Sequence, residues 1–409
     1  MSLDLTPAEA LMGSDVVPDV PLSRRTLWVM SAACGVTVAN TYYNQPLLSD
    51  FARAFAAPAA HAAAVATAAQ VGYGTGMFFL VPLGDLVERR KLILALTWTC
   101  SALLVAMAVA PTLNLLIGAQ LLVGAAACGS QILIPLGIDL TPIERRGDTV
   151  GNLMAGVLCG ILLARTAAGV LGDAVGWRYT YALAAVAMLF NGFVLLFELP
   201  RRPPTLRLGY GPLLHSMLHL LRTQRPLWTA SLVSALSFAG FTAFWTTLSF
   251  LMKEHFHRGA SEAGMFGIVG VVGALAAPLA GRLSDRRGPA FTVTLSLAAS
   301  AAAFAVMWRW VDIPGLVVGV LLMDLGVQSI QVAEQSLVMA LVPDARSRIN
   351  TLYMVTRFMG GAGGSLLGAA AWTHARWPGV CAVSIGMVAV GWVIHLFGPQ
   401  PAADPASAG

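Results

Sequence analysis

The residues best able to do chemistry lie between positions 314 and 343. An apolar run, Leu316-Val317-Val318-Gly319-Val320-Leu321-Leu322-Met323, gives way there to Asp324, Gln328, Gln331 and Gln335. Their spacing of i, i+4, i+7 and i+11 places the four side chains in one stripe along a helix, with Glu334 beside it. The segment is long enough to cross a bilayer. An acid and three amides at that depth are too costly to face lipid, so the stripe is expected to face protein or a wet cavity. A polar seam between helices has the same spacing. A path for a solute or a proton is preferred, because ionisable groups inside a membrane mark function by default. A second polar cluster, Asn40-Thr41-Tyr42-Tyr43-Asn44-Gln45-Pro46, closes an apolar run near the N-terminus. Tyr42 and Tyr43 suit a membrane interface, but that does not account for the amides. Thr37, Asn40 and Asn44 share a helix face and are read as lining a cavity.

The elements that position these residues follow from composition. Of the 409 residues, 57% are hydrophobic and 11% charged, with mean hydropathy +0.73. Soluble domains carry about 25% charged residues, so a soluble globule is excluded. Apolar runs of helical length recur twelve times, at about 26–50, 62–83, 91–110, 112–138, 149–171, 179–198, 227–251, 262–281, 290–308, 314–342, 350–371 and 379–397. The predicted class is an all-α integral membrane protein with twelve transmembrane helices. Of the 25 Lys and Arg residues, seventeen fall on one side of these spans and six on the other. By the positive-inside rule both termini are cytoplasmic. The basic balance therefore reports topology and gives no sign of nucleic acid. The five cysteines all fall inside spans without CxxC spacing and read as packing residues. Segments 1–22 and 399–409 read as cytoplasmic tails, the first disordered and without the basic start of a removable signal peptide.

The chain also repeats itself. Span 2 runs into Gly84-Asp85-Leu86-Val87-Glu88-Arg89-Arg90-Lys91, and span 8 into Gly281-Arg282-Leu283-Ser284-Asp285-Arg286-Arg287-Gly288. Gly84, Leu86, Glu88, Arg89 and Arg90 match Gly281, Leu283, Asp285, Arg286 and Arg287 at one constant offset. Span 4 carries Gln120, Gly124, Ala127 and Gln131 in the same spacing as the stripe of span 10. The loop at 142–147 corresponds to that at 343–348. Such repeats predict two six-helix bundles, 23–198 and 227–398, joined by a cytoplasmic loop at 199–226. Within that loop, Leu213, Leu214, Met217, Leu218 and Leu221 give an amphipathic piece at 213–222, expected on the inner membrane surface.

Two six-span halves, a long central loop and a duplicated G-x-L-x-[DE]-R-R signature resemble the major facilitator superfamily over nearly the whole chain. The stretch Tyr42-Tyr43-Asn44-Gln45-Pro46-Leu47-Leu48 resembles a bacterial branch of twelve-span drug and metabolite exporters. That resemblance implies two pseudo-symmetric bundles, alternating access, proton antiport, no cofactor and no enzymatic activity. It also implies that the signature charges pair across the halves at the inner face and release as the halves rock. The gating set it implies is Gly84, Asp85, Glu88, Arg89, Arg90, Gly281, Asp285 and Arg286. The sequence departs from the branch where Gln120 replaces an arginine and where span 5 carries Arg165 without the usual proline-rich motif.

Four ionisable residues lie deep in spans: Arg165, Asp324, Glu334 and Arg357. Glu334 and Arg357 fall at nearly equal depth on consecutive antiparallel spans and are expected to pair. Asp324 has no such partner on its hairpin. A carboxyl moved between a low-dielectric site and a guanidinium changes its hold on a proton, so Asp324 is read as the coupling carboxylate. Arg165 is its intermittent partner or a binder of anionic solute; a static Asp324–Arg165 lock is the alternative. Span 7 adds Ser234, Phe238, Phe241, Thr242 and Trp245 on one face, suited to an amphipathic solute. The glycines of spans 2, 8 and 11 are expected to permit close packing and to line the sliding surfaces. No catalytic or metal motif appears. The leading expectation is a monomeric inner-membrane transporter exporting a drug or metabolite by proton antiport. The alternative is a symporter importing a small carboxylate or sugar-like solute, with Arg165 and Arg357 as anion binders. A receptor without transport fits less well.

Overall fold

A chain this apolar satisfies its backbone by forming helices, since no water reaches the bilayer core. The computed structural model describes residues 22–201, 209–274, 277–342 and 345–399, with backbone alone at 271–274 and 277–280. The expectations for the two tails, apart from positions 22 and 399, for Arg202, Pro203, Pro204 and Arg207 of the central loop, and for Pro343 and Asp344 lie outside the described residues.

Fifteen α-helices run in order: α1 (Arg24–Ala39), α2 (Asn44–Ala54), α3 (Ala59–Phe79), α4 (Arg89–Ala108), α5 (Leu113–Ala127), α6 (Ser130–Asp139), α7 (Arg146–Val175), α8 (Trp177–Glu198), α9 (Tyr210–Thr223), α10 (Arg225–Glu254), α11 (Ala260–Ala274), α12 (Ala277–Arg287), α13 (Pro289–Arg309), α14 (Ile313–Ala340) and α15 (Arg346–Phe397). Among the described residues nine helices are long and apolar enough to cross a membrane. Span 1 comprises α1 and α2, span 4 comprises α5 and α6, the described residues of span 8 form α11 and α12, and α15 holds spans 11 and 12, turning at Ala375 and at Arg376 with φ of 51°. The architecture is therefore the twelve-span all-α fold.

Helices of spans 1–6 pack chiefly as α1 on α7, α3 on α5 and α4 on α8; those of spans 7–12 pack as α10 on α15, α13 on α14 and α11 on α14. The two groups meet where α7 lies on α11, α3 on α15 and α2 on α10. Glycine sets the closest approaches. Gly360, Gly364 and Gly368 of span 11 face Ala235, Ala239 and Ala243 of span 7, and a Cβ on Gly364 would sit 2.0 Å from the Ala239 carbonyl oxygen. That ladder lies inside the second half, and Gly72 and Gly76 likewise pack on span 4 inside the first. Of the expected sliding surfaces, Gly264 and Gly267 of span 8 against span 5 and Gly74 of span 2 against span 11 do cross between halves. The linker helix α9 buries Met217, with Leu214 and Leu221 partly buried beside it, against Leu227, Ala230, Val338, Ile349, Leu352 and Tyr353 at the inner ends of spans 7, 10 and 11; Leu213 is also buried, while Leu218 stays exposed. It is docked on protein along one side as well as amphipathic.

Candidate functional site

Span 1 breaks at residues 40–43. The local cause is Pro46, which has no N–H to give the Tyr42 carbonyl and whose ring crowds that turn. The freed carbonyls are met by amides. Asn40 Nδ2 donates to the Val36 and Thr37 carbonyls at 2.9 and 3.0 Å, Asn44 Nδ2 to Thr41 at 2.9 Å, and Gln120 Nε2 to Asn40 at 3.3 Å. Asn40, Asn44 and Gln120 are all buried, and each keeps a side-chain oxygen without a partner. Their donors thus repair a break in the helix.

The break turns Tyr42 and Gln45 toward Arg165 on span 5. Arg165 Nε donates to Gln45 Oε1 at 2.6 Å. Its guanidinium carbon lies 4.0 Å from the Trp245 ring centroid, 4.8 Å from Tyr42 and 5.7 Å from Phe241. Such cation–π contacts contribute about 0.5–2 kcal/mol each as desolvation increases. Arg165 is 1% exposed, and its Nη2 has no hydrogen-bond partner. Beside it a narrow crevice, too tight for water, is lined by Gln45, Pro46, Trp245, Leu248, Ser249 and Ala263. Asp324, on span 10, lies within electrostatic reach of Arg165 but forms no ion pair with it. The carboxylate is 5% exposed and its Oδ2 is unpartnered. It abuts Gly270 of span 8, where a Cβ would come within 3.0 Å of Oδ2. The static Asp324–Arg165 lock is not formed.

An aromatic row leads away from Arg165. Trp245 is 6.0 Å from Phe241, which stacks on Phe238 at 5.4 Å; Phe238 meets Phe358 edge-on at 5.6 Å, and Phe358 lies 4.5 Å from Tyr73. Over Phe238, at 4.3 Å, sits Arg357, whose Nη1 donates to Ser234 Oγ at 2.8 Å. The Tyr353 hydroxyl donates to the same Oγ at 2.8 Å. The expected Glu334–Arg357 ion pair is absent among the described residues. Equal depth on neighbouring helices does not fix azimuth, and Arg357 turns to span 7 while Glu334 stays buried on span 10. Gln328, Gln331 and Gln335 are half-buried, and Gln335 Nε2 donates to Asn350 Oδ1 at 2.7 Å. Gln131 Nε2 donates to the Tyr73 hydroxyl at 3.0 Å, tying span 4 to the far end of the aromatic row.

Taking the arginine-rich side as inner, the direct hydrogen bonds between described residues in spans of opposite halves lie on the outer side. Asp173, at the outer end of α7, accepts the backbone N–H groups of Ala260 and Ser261 at 3.1 and 2.7 Å. These are orphan donors at the start of α11, and a carboxylate there also meets the positive end of the helix dipole. Thr166 Oγ1 donates to the Gly264 carbonyl at 3.0 Å. On the inner side Arg89 binds Asp85 at 2.9 Å, Asp139 at 2.5 Å and the Gly84 carbonyl at 3.0 Å, Glu88 binds Lys91 at 3.1 Å, and Arg90 donates to the Leu196 carbonyl. Asp285 and Arg286 are exposed, and Gly281 has nothing within 4 Å of a Cβ position. Every ion pair between described residues stays within one half. The inner signature residues are therefore not paired across the halves in this arrangement.

Sequence reasoning singled out Arg165, Asp324, Phe241 and Trp245, which the fold brings together, and Arg357, which joins them through Phe238. It missed Gln45 and Tyr42 as partners of Arg165, Ser234 and Tyr353 around Arg357, and Asp173. Gln45 and Tyr42 stood in a quoted motif; Asp173 carried no signal beyond an acid near a helix end. Compared with known proteins, residues 30–250 and 230–409 match the Major Facilitator Superfamily. The uncharacterized transporter YgaY of Escherichia coli is 37% identical over 366 residues, spanning 89% of this chain and 93% of its own. The transporter SCO4007 of Streptomyces coelicolor is 33% identical over 393 residues, 95% of this chain and 90% of its own. The solved nucleoside transporter NupG has a TM-score of 0.75 at 14% identity, covering 91% of this chain and 98% of that one, a likeness of fold alone.

Proposed function

This chain belongs to the major facilitator superfamily, whose members are transporters and not enzymes, and from that premise we propose a proton-coupled secondary transporter of a small amphipathic organic solute. It works by alternating access as a monomer in the bacterial inner membrane, with both termini cytoplasmic. The observation that carries the reading is Asp324: buried, one oxygen unpartnered, against Gly270 where spans 8 and 10 meet, and beside an unpaired Arg165. Rocking of the halves slides span 5 over span 8, so it changes what this carboxyl faces. A carboxyl whose surroundings alternate loads and releases a proton.

Two directions are compatible with that role. Export in exchange for protons, which the resemblance implies, makes proton and solute compete for Asp324. Cotransport of a carboxylate with a proton is favoured by a specific observation, two buried guanidiniums that form no ion pair among the described residues. The test of proton coupling uses purified protein in liposomes with a pH dye inside, challenged with a panel of organic solutes. Asp324→Asn is expected to fold, with an unchanged elution profile, and to lose solute-driven proton movement while retaining solute exchange. Full proton movement in that variant would remove Asp324 from the mechanism.

A further inference from the structure

We propose that the solute is an organic monoanion with an aromatic or broad apolar body, that its charged group docks on Arg165, and that it crosses together with the proton held at Asp324. The inference rests on the proton-coupled transport reading and gives that site its substrate class.

Arg165 is a buried guanidinium whose one side-chain hydrogen-bond acceptor, Gln45 Oε1, is neutral. A charge in that setting is expensive unless an opposite charge meets it. Three unpartnered donors belong to side chains lining the same small space: Arg165 Nη2, Trp245 Nε1 and the Ser249 hydroxyl. A convergence of donors selects an acceptor-rich group, and the planar guanidinium fork matches a carboxylate or sulfonate. A cationic solute meets repulsion there, and a neutral one leaves the guanidinium uncompensated. The body of the solute has a surface prepared for it in Trp245, Phe241 and Phe238, an aromatic path that ends under a second guanidinium, Arg357. The Tyr42 phenol, within electrostatic reach of both arginines, places them around one region.

The same geometry fixes the sense of coupling. Among the described residues, the titratable and charged groups around the docking point are Arg165 from span 5, Asp324 from span 10, Tyr42 from span 1 and, further along, Arg357 from span 11; Gly270 of span 8 lies against Asp324. An ionised Asp324 competes with an incoming anion for Arg165. A protonated Asp324 leaves the guanidinium to the anion. Proton and anion therefore bind together, and the pair that crosses carries no net charge.

The experiment uses the full-length protein and matched probes, 2-naphthoate and naphthalene-2-sulfonate against the neutral 2-naphthamide and naphthalene-2-sulfonamide. In thermal unfolding of the purified protein, both anions are expected to raise the wild-type Tm and the amides to leave it unchanged. Arg165→Lys keeps a reduced shift and Arg165→Gln loses it. Equal shifts from amide and anion, no shift from either anion, or a full shift in Arg165→Gln overturns the anion site, and the wild-type comparison decides even if the variants fail to fold. In liposomes, uptake of the impermeant sulfonate is expected to follow an inward proton gradient and to ignore a potassium–valinomycin potential. Acceleration by an inside-negative potential, or loss of sulfonate as protons enter, overturns the cotransport. If the anions bind but nothing moves, the transport reading fails and the anion site stands; if only neutral probes bind and move, the reverse holds.

Discussion

Ser234 is the residue on which the second arginine depends. Its single oxygen accepts from both Arg357 and Tyr353, so both lone pairs are committed to buried donors. Ser234→Ala leaves the Arg357 donor unmet and Tyr353 with only the Gln331 carbonyl at 3.4 Å, which costs about 1–3 kcal/mol; a lower unfolding temperature at unchanged yield is the expected reading. Glu334 takes no part in holding Arg357. Glu334→Gln and Arg357→Gln are therefore expected to destabilise additively, within about 0.5 kcal/mol of the sum. A double-mutant cycle with strong coupling would restore the ion pair that depth alone predicts. The charges themselves were legible, because an ionised group inside an apolar run stands out in any sequence. Their partners were not: Arg165 meets Gln45 from 120 positions away, and Arg357 bonds Ser234 instead of pairing with Glu334 because of how two helices are rotated.

The working elements are those whose regular structure is interrupted or unusually close. Span 1 is broken by Pro46, and the polar residues ahead of it cap the opened turn; this aims Gln45 and Tyr42 at span 5. Reading the same residues as an unbroken helix puts Asn40 and Asn44 on a common face, which explains why they were expected to line a cavity. Spans 5 and 8 touch through Gly264, where a Cβ would come within 2.4 Å of the Arg165 carbonyl oxygen. A methyl there has only backbone to meet and forces these helices apart. Gly264→Ala is expected to open the outer side and raise the labelling rate of a cysteine placed at Ser249; an unchanged rate would show that the contact is not a closure. By contrast, Gly360, Gly364 and Gly368 of span 11 face span 7 in their own half, so their substitution is expected to reduce folded yield without biasing the direction in which the protein opens.

At the level of the whole molecule, two groups of six spans are latched at one end. Asp173 accepts two N–H groups at the head of span 8, while the inner signature residues bond within their own halves. Asp173→Cys paired with Ser261→Cys is expected to halt transport on oxidation and to recover with reductant, since alternation requires that contact to part. Undiminished flux in the crosslinked protein would show that the outer ends of spans 5 and 8 never separate. The sequence by itself determined the twelve apolar runs, the repeat that makes two similar halves, the arginine-rich side of the spans and the few charges buried at depth. Each of these is a property of one segment or of a periodicity along the chain, enforced locally by the absence of water. Only the tertiary structure decided which arginine lies over which ring, which carboxylate stays unpaired and which end is closed. Those depend on the rotation and approach of helices far apart in sequence, where a change of one helix face exchanges every partner while leaving the hydrophobic pattern intact.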